Sequence, residues 1–322
     1  MEAISEKDLE LEDGEDSCSE EGSEASESVD EYVLPYDPEE RDRLNVQHEL
    51  WKKVMKWICP IPKDSLDEFL AAKTNPAIMD LGSGSGIWAV EMARAYPSAR
   101  VVGIDLVAAV PPPIPPNCLF VPGSLTGGTC MMWAQYDIVH ARLLVDRIKG
   151  EVAKEAAINR AVLCLRSGGI IILSNYEEFF VDSDKNPLPP AQDTGDNSSR
   201  SWCTRLVAEA FKRPGDRLLG DFYHRCLAKN VKVEKGSVNS EFHYIPIGWD
   251  GGEGDAGKEI GEMGRRHANE LFDTCKGILK SKGVLQEKID HWFDKAQEEI
   301  NGDQSESKRI FHVVRSVWAR KL

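Results

Sequence analysis

The chain has 322 residues, of which 41% are hydrophobic, and this is ordinary for a globular protein with a substantial core. Its formal net charge is −15, but most of that charge lies in residues 1–31, so the remainder offers no basic surface for binding DNA or RNA. No apolar run of about 18 residues predicts a transmembrane helix, and the acidic N-terminus lacks the pattern of a secretory signal. We expect an intracellular protein, cytoplasmic or alternatively nuclear, that does not act on membranes.

Residues 1–31 contain 14 acidic residues and one basic residue, Lys7, together with many serines. Such a segment cannot bury enough apolar surface to offset the entropy lost on ordering, so we predict a disordered acidic tail. The alternative is a docking arm for a protein partner. We expect the folded domain to occupy residues 32–322.

Cysteine and histidine spacing gives no metal signature. The eight cysteines are scattered without a Cys-x-x-Cys pair, and the seven histidines show no His-x₃-His pattern. A zinc site is therefore not expected, and we predict no metal.

The predicted elements begin with a helix that starts at Pro38, within a cap segment 32–62 that ends at two prolines. Five short apolar strands follow, at Ala77–Leu81, Arg100–Ile104, Leu119–Val121, Asp137–His140 and Ile170–Ser174. Helices are predicted at Ile87–Tyr96 and Val152–Leu165. Alternating strands and helices with continuous apolar strands predict a parallel sheet covered on both faces.

The regular alternation ends after Asn175. We predict a helix around Trp202–Phe211, a strand at Val231–Glu234, a glycine-rich loop at Gly248–Gly257, helices at Lys258–Leu279 and Val284–Ile300, and a final strand at Ile310–Ala319. Residues 176–300 are therefore expected to contain lid insertions over a substrate.

The segment with the clearest chemical signal joins the first strand to the next helix, and its candidate ligand-binding residues are Asp80, Gly82, Ser83, Gly84 and Gly86. Glycines allow the backbone to approach a ligand closely, and a helix N-terminus supplies free N–H donors. A dinucleotide site requires Gly-x-Gly-x-x-Gly, but Ile87 stands at the third glycine position. Asp80 would repel a pyrophosphate and attract a sulfonium or ammonium group. This pattern favours S-adenosylmethionine, with a nicotinamide dinucleotide as the alternative.

A second acidic residue supports the same ligand. Asp105 ends the second predicted strand, where a carboxylate can accept hydrogen bonds from both ribose hydroxyls. We include Asp105 and its neighbour Leu106 among the predicted cofactor-binding residues.

Together these motifs resemble those of the class I S-adenosylmethionine-dependent methyltransferases, and more closely those of the fungal LaeA-like methyltransferases. The resemblance is carried by Leu34–Leu44 with Gln47-His48, Asp80–Trp88, Tyr136–Arg142, Pro246–Gly248 and Lys258–Gly261. It implies an α/β, Rossmann-like class I sheet, seven-stranded and mostly parallel, with an N-terminal cap helix and helical lid insertions. It also implies S-adenosyl-L-homocysteine as the product.

The chain departs from the family pattern at three places. The acid that usually follows the third strand is missing from Phe120–Leu125, and Ser124 is our candidate to replace it in adenine binding. The usual Pro-Gly-Gly is Ser167-Gly168-Gly169, and Ser174–Glu177 replaces the Gln-Glu often found after the fifth strand. The last change predicts an unusual acceptor pocket or weakened catalysis.

Methyl transfer requires a general base only if the acceptor loses a proton. His140, at the end of the fourth strand, is our candidate catalytic base and also a candidate cofactor contact; the alternative is a structural histidine. Arg142 is a candidate to pair with a carboxylate of the acceptor or cofactor, with a surface salt bridge as the alternative.

Several other side chains are candidates for the walls of the site. Gln47 and His48 lie on the predicted cap helix, and the family resemblance implies that this helix folds over the cofactor. Trp88 follows the glycine loop and is a candidate ligand contact. Four aromatic residues are candidate acceptor contacts: Tyr176, Trp202, Tyr244 and Trp249. Packing in the core is the alternative for each of them.

The sequence therefore predicts a methyltransferase that acts on an oxygen or nitrogen atom of a small molecule, a fungal secondary metabolite by resemblance. The alternative partner is a protein: the resemblance includes regulatory methyltransferase-like proteins that act in a transcriptional regulator complex. A protein that binds the cofactor without catalysis is a further alternative.

Overall fold

The computed structural model describes residues 38–107, 113–124, 132–144, 148, 150–211, 219–302 and 309–322. The predicted acidic tail, residues 1–31, lies outside the described residues.

The described chain alternates strands and helices as far as β5 and then becomes mainly helical. The helices are α1 (Pro38–Met55), α2 (Lys63–Ala71), α3 (Ile87–Ala95), α4 (Glu151–Cys164), α5 (Trp202–Phe211), α6 (Leu219–Lys229), α7 (Asp255–Ser281) and α8 (Gln286–Asn301). The strands are β1 (Ala77–Leu81), β2 (Arg100–Asp105), β3 (Cys118–Pro122), β4 (Tyr136–Arg142), β5 (Leu165–Val181), β6 (Asn239–Pro246) and β7 (Phe311–Arg320).

The seven strands form one sheet in the order β3-β2-β1-β4-β5-β7-β6. Strands β1 to β5 are mutually parallel, whereas β7 runs antiparallel to both β5 and β6. This arrangement confirms the predicted Rossmann-like, mostly parallel, seven-stranded sheet. In this order β1 lies between β2 and β4, so the carboxyl ends of these three strands meet at the edge where open α/β sheets bind ligands.

The first strand shows why the prediction succeeded. All five residues of β1 are buried, since helices cover both faces of the sheet, and a continuous apolar run is the pattern that such a strand requires. Only Asp80 interrupts the run, and its side chain is also buried.

Several predicted boundaries are wrong. The cap helix ends at Met55, before the two prolines, and β5 begins directly at Leu165 and extends beyond Ser174 to Val181. The extension forms because β7 pairs with β5 from Ile170 to Val181, apart from an irregularity after Tyr176. A partner strand more than a hundred residues away thus decides the length of β5.

The predicted strand Val231–Glu234 is also wrong, since Val233 makes only an isolated bridge to Lys321. The strand in this region is β6, which the sequence did not predict. Its first four residues are exposed because β6 is an edge strand, and it therefore lacks the apolar alternation of a central one. Helices α2 and α6 were likewise not predicted.

The helices after β5 build a second core together with α1. Leu50 and Trp51 of α1 pack in one buried cluster with residues of α5, α7 and α8, including Leu206, Phe272 and Trp292. The cap helix is thus held against the predicted lid insertions. No helix in the described part of the chain is long and apolar enough to cross a membrane.

Candidate cofactor site

The loop after β1 has the backbone shape that its glycines permit. Gly82, Gly84 and Gly86 all have positive φ, at 70°, 52° and 76°, a region that residues with a Cβ rarely adopt. The N–H groups of Gly82 and Ser83 donate to the carbonyl oxygen of Ile104 at 2.8 and 3.0 Å. The loop is therefore fastened to β2 and leads directly into the N-terminus of α3.

Two apolar side chains enclose this loop. A Cβ added to Gly84 would lie 3.0 Å from Cδ1 of Leu44 on α1, and one added to Gly82 would lie 2.9 Å from Cδ1 of Leu144, just after β4. The cap helix therefore reaches the glycine loop. The sequence placed this helix near the site only through the resemblance of Gln47 and His48.

Asp105 ends β2 beside the loop. Its Oδ2 accepts a hydrogen bond of 2.8 Å from the N–H group of Gly84, and the following residue, Leu106, is 45% exposed. A carboxylate can accept further bonds at both oxygens. Asp105 is therefore positioned to bind a hydroxyl-bearing ligand that lies against the glycines.

The segment after β3 is anchored to the same strand end. The N–H group of Gly123 donates to the carbonyl oxygen of Asp105 at 2.8 Å, which brings the next residue, Ser124, to this side of the sheet. No acidic residue stands between Phe120 and Ser124. The role of Ser124 in adenine binding stays a prediction.

Asp80 and His140 form a buried pair on the adjacent strands β1 and β4. They are register partners, each 3% exposed, and Nδ1 of His140 lies 2.7 Å from Oδ1 of Asp80. The His140 ring stacks on Trp88 at 3.8 Å between ring centroids. Burial lowers the pKa of His140 against the opposing influence of Asp80, so the ring is neutral at neutral pH and Nδ1–H donates to the carboxylate.

A second polar network joins the cap helix to this region. Nη1 of Arg142 lies 3.2 Å from Nδ1 of His48, and Nε2 of His48 lies 3.2 Å from Oε2 of Glu91. Arginine can only donate, so Nδ1 of His48 is the acceptor and Nε2 carries the proton that faces Glu91. Burial lowers the pKa of His48, which agrees with a neutral ring. This network connects β4, α1 and α3, and no sequence pattern indicates it.

The four predicted acceptor contacts do not form one surface. The Tyr176 hydroxyl accepts a hydrogen bond from Nε1 of Trp51, which places Tyr176 on the α1 side of the sheet. Trp202 instead lies edge-on to His291 of α8. Tyr244 and Trp249 pack edge-on against Phe311 of β7. Tyr176 is the one of the four whose described contacts include the cap helix.

Two histidines that the sequence analysis did not single out accompany Tyr176. His267 and His312 each stack on its ring at 4.6 Å between centroids. Burial lowers the pKa of His267 to about 3 and that of His312 to about 4, so both rings are neutral. They come from α7 and β7, and only the tertiary fold brings them to β5.

Comparison with known proteins agrees with this geometry. A family model described as a methyltransferase domain matches residues 53–213, which is half of the chain. The matched region runs from the end of α1 to just past α5, and so it includes the glycine loop, Asp105 and the end of β4.

The match to each curated relative covers only part of that relative's length. The protein-methionine methyltransferase laeA of Emericella nidulans is 33% identical over 120 residues, which are 37% of this chain and 30% of that protein. The methyltransferase pytC of Aspergillus terreus is 31% identical over 166 residues, which are 49% of this chain and 46% of that protein. The chain thus spans less than half the length of either relative.

Solved structures of similar topology include a putative methyltransferase from an antibiotic biosynthesis pathway of Anabaena variabilis, at 14% identity and a TM-score of 0.45, covering 80% of this chain and 95% of that one. The family match over half of the chain carries the assignment. The chain belongs to the methyltransferase-domain family.

Proposed function

We propose that this chain transfers the methyl group of S-adenosylmethionine to an oxygen or nitrogen atom of a small molecule of fungal secondary metabolism. The observation that carries the proposal is the glycine loop held between two acids, Asp80 at the end of β1 and Asp105 at the end of β2. The neighbouring strand ends and the N-terminus of α3 complete a cradle for a cationic nucleoside.

The residues present fit this cofactor. An added Cβ at Gly84 would lie 3.0 Å from Leu44, so the absence of a side chain allows the cap helix to enclose the loop closely. Asp105 is placed to accept the ribose hydroxyls, and Asp80 contributes negative charge opposite a sulfonium or ammonium group. The bound cofactor supplies a methyl group that is already activated for displacement.

The protein must therefore position the acceptor and exclude water from the site. The cap helix performs part of this task, since Leu44 contacts the glycine loop and Trp51 hydrogen-bonds to Tyr176. His140 donates from Nδ1 to Asp80, so Nε2 is the ring atom left to accept a proton. We keep His140 as the candidate base for acceptors that lose a proton, and Tyr176 as the candidate acceptor contact.

Binding of the cofactor is tested by calorimetric titration with S-adenosylmethionine and S-adenosylhomocysteine. The wild-type protein should bind both. Asp105→Ala should weaken both by roughly 10- to 100-fold, since charge-assisted hydrogen bonds are lost. The matched control is Asp255→Ala, which removes an acid that is 95% exposed on α7. Unchanged affinity in Asp105→Ala would contradict the site.

The second candidate function is regulatory, and the names of relatives favour it: a protein of Coprinopsis cinerea, 32% identical over 158 residues that are 48% of this chain and 38% of that protein, is a secondary metabolism regulator. Incubation of the protein and labelled S-adenosylmethionine with a metabolite extract separates the two functions. Label in a small molecule supports the enzyme. Cofactor binding with no labelled metabolite, together with a protein partner that co-purifies, supports the regulator.

A further inference from the structure

The order of the strands sets the direction in which the proposed cofactor lies. Asp105 at the end of β2 is the ribose position, and β1 lies between β2 and β4. An elongated ligand that starts at β2 and passes the glycine loop therefore extends towards β4, two strand spacings or about 10 Å away. Its amino-acid end is then the part closest to β4.

Opposite charges stand at the ends of these two strands. Asp80 is the register partner of His140, and Arg142 follows His140 by two residues, which places both on the same face of β4. Arg142 is therefore about 7 Å further along this face. The Asp80 carboxylate and the Arg142 guanidinium, at this separation, are complementary to the ammonium and carboxylate groups of an α-amino acid.

Among the described residues no carboxylate forms a direct ion pair with the Arg142 guanidinium, although Asp80 and Glu91 act on it electrostatically from further away. The partners that the described residues give it are the Nδ1 atom of His48 at 3.2 Å and the Trp51 ring at 5.3 Å to the centroid, and both are uncharged. Burial lowers its pKa, but a guanidinium remains charged in proteins. A guanidinium whose direct contacts are uncharged can donate two parallel N–H bonds to an anionic ligand.

The position of the guanidinium is fixed from the opposite side. His48 is 1% exposed, and its Nε2 is 3.2 Å from Glu91, a carboxylate that Lys52 also contacts at 2.8 Å. With Nε2 protonated and facing Glu91, Nδ1 of His48 is the ring atom that accepts from Arg142. The cap helix therefore orients an arginine that extends from the sheet.

We propose that Arg142, positioned by His48, binds the α-carboxylate of the amino-acid part of the cofactor, with Asp80 on the side of its ammonium group. This proposal rests on the proposed function, since it assigns a part of the same ligand.

The test compares two ligands that differ by one carboxylate. S-adenosylhomocysteine has it, and S-adenosyl-3-thiopropylamine keeps the amine and lacks only the carboxylate. In calorimetric titrations the wild-type protein should bind the first roughly 10- to 100-fold more tightly. In Arg142→Gln this ratio should fall to about 3 or less, with little change in the affinity for the decarboxylated ligand.

Two further variants complete the experiment. Arg142→Lys keeps the charge without the planar fork and should give an intermediate ratio. Arg94→Gln removes an exposed arginine of α3 and should keep the wild-type ratio. Binding of the decarboxylated ligand to Arg142→Gln shows within the same sample that the variant is folded.

Three outcomes distinguish the hypotheses. An equal loss of affinity for both ligands in Arg142→Gln would mean that Arg142 supports the fold and would overturn the proposal. Wild-type affinity for both ligands in Arg142→Gln would overturn it too, because other groups would then bind the carboxylate. If the wild-type protein binds neither ligand, the proposed function itself fails.

Discussion

Glu177 is a buried acid on β5 whose side chain is 3% exposed. Burial raises its pKa to about 7, and the neighbouring acids Glu178 and Asp221 add to this, whereas Arg315, 3.8 Å away, opposes it. A raised pKa means that the native state holds this proton more tightly than the unfolded chain. The contribution of Glu177 to the free energy of unfolding is therefore fully present below the unfolded pKa, near 4.3. This contribution is lost as the pH rises through the folded pKa of about 7.

Glu177→Gln should remove this dependence. Between pH 5 and pH 8 the free energy of unfolding of the variant should rise relative to wild type by about 2 kcal/mol, because the amide has no proton to lose. Chemical denaturation at both pH values measures it. Glu253→Gln, which removes an acid that is 59% exposed, is the control. Equal changes in both variants would show that Glu177 titrates normally.

The residues of the candidate site differ in how visible they are in the sequence. Asp80 and Asp105 are predictable because Asp80 lies near the end of an apolar strand just before the glycines and Asp105 ends the next apolar strand, and both are local patterns. The bond between His48 and Arg142 is not, since the two residues are 94 positions apart and each alone resembles an ordinary polar residue. Residue identity determines what a side chain can do, whereas the fold determines which partner it finds.

At the scale of elements, α7 shows how glycines position a helix. Gly257, Gly261 and Gly264 lie on its buried face, and a Cβ on Gly261 would lie 1.9 Å from the carbonyl oxygen of Trp249. The N–H group of Gly248 donates to the carbonyl oxygen of Gly261 at 2.8 Å. The helix therefore packs directly against the backbone that follows β6.

Gly261→Ala should destabilise the protein by at least about 2 kcal/mol, because backbone must move to admit the methyl group. Gly277→Ala is the matched control in the same helix. Nothing lies within 4 Å of its added Cβ, so the higher helix propensity of alanine should stabilise the protein by up to about 1 kcal/mol. Thermal or chemical denaturation of both variants checks the prediction. The same sign for both would argue against the close approach at Gly261.

Elements differ in predictability for a related reason. Strand β1 was predicted with its observed bounds because a strand covered on both faces needs a continuous apolar run. Strand β6 was missed because half of it is exposed at the sheet edge, and β5 is longer than predicted because β7 pairs with its second half. Burial leaves a pattern in the sequence, whereas hydrogen bonding to a distant strand does not.

For the whole molecule, a ligand that binds only the folded state stabilises it. S-adenosylhomocysteine at 100 times its dissociation constant should add about 2.7 kcal/mol and raise the melting temperature by about 5 °C. The same rise is expected for a chain that lacks residues 1–31, since the predicted site lies between α1 and the sheet. Thermal melts of both chains test this. A smaller rise in the shortened chain would place the acidic segment in the cofactor site.

The sequence by itself determined the class of the sheet, the glycine loop and the two acids beside it, because these depend on neighbouring residues and on burial of short segments. The tertiary structure alone decided that α5, α7 and α8 pack with α1, that Tyr176 stacks with two neutral histidines, and that the cap helix contacts Arg142 through His48. These features join elements far apart in the chain. Their energy depends on distance and burial, which a linear pattern does not specify.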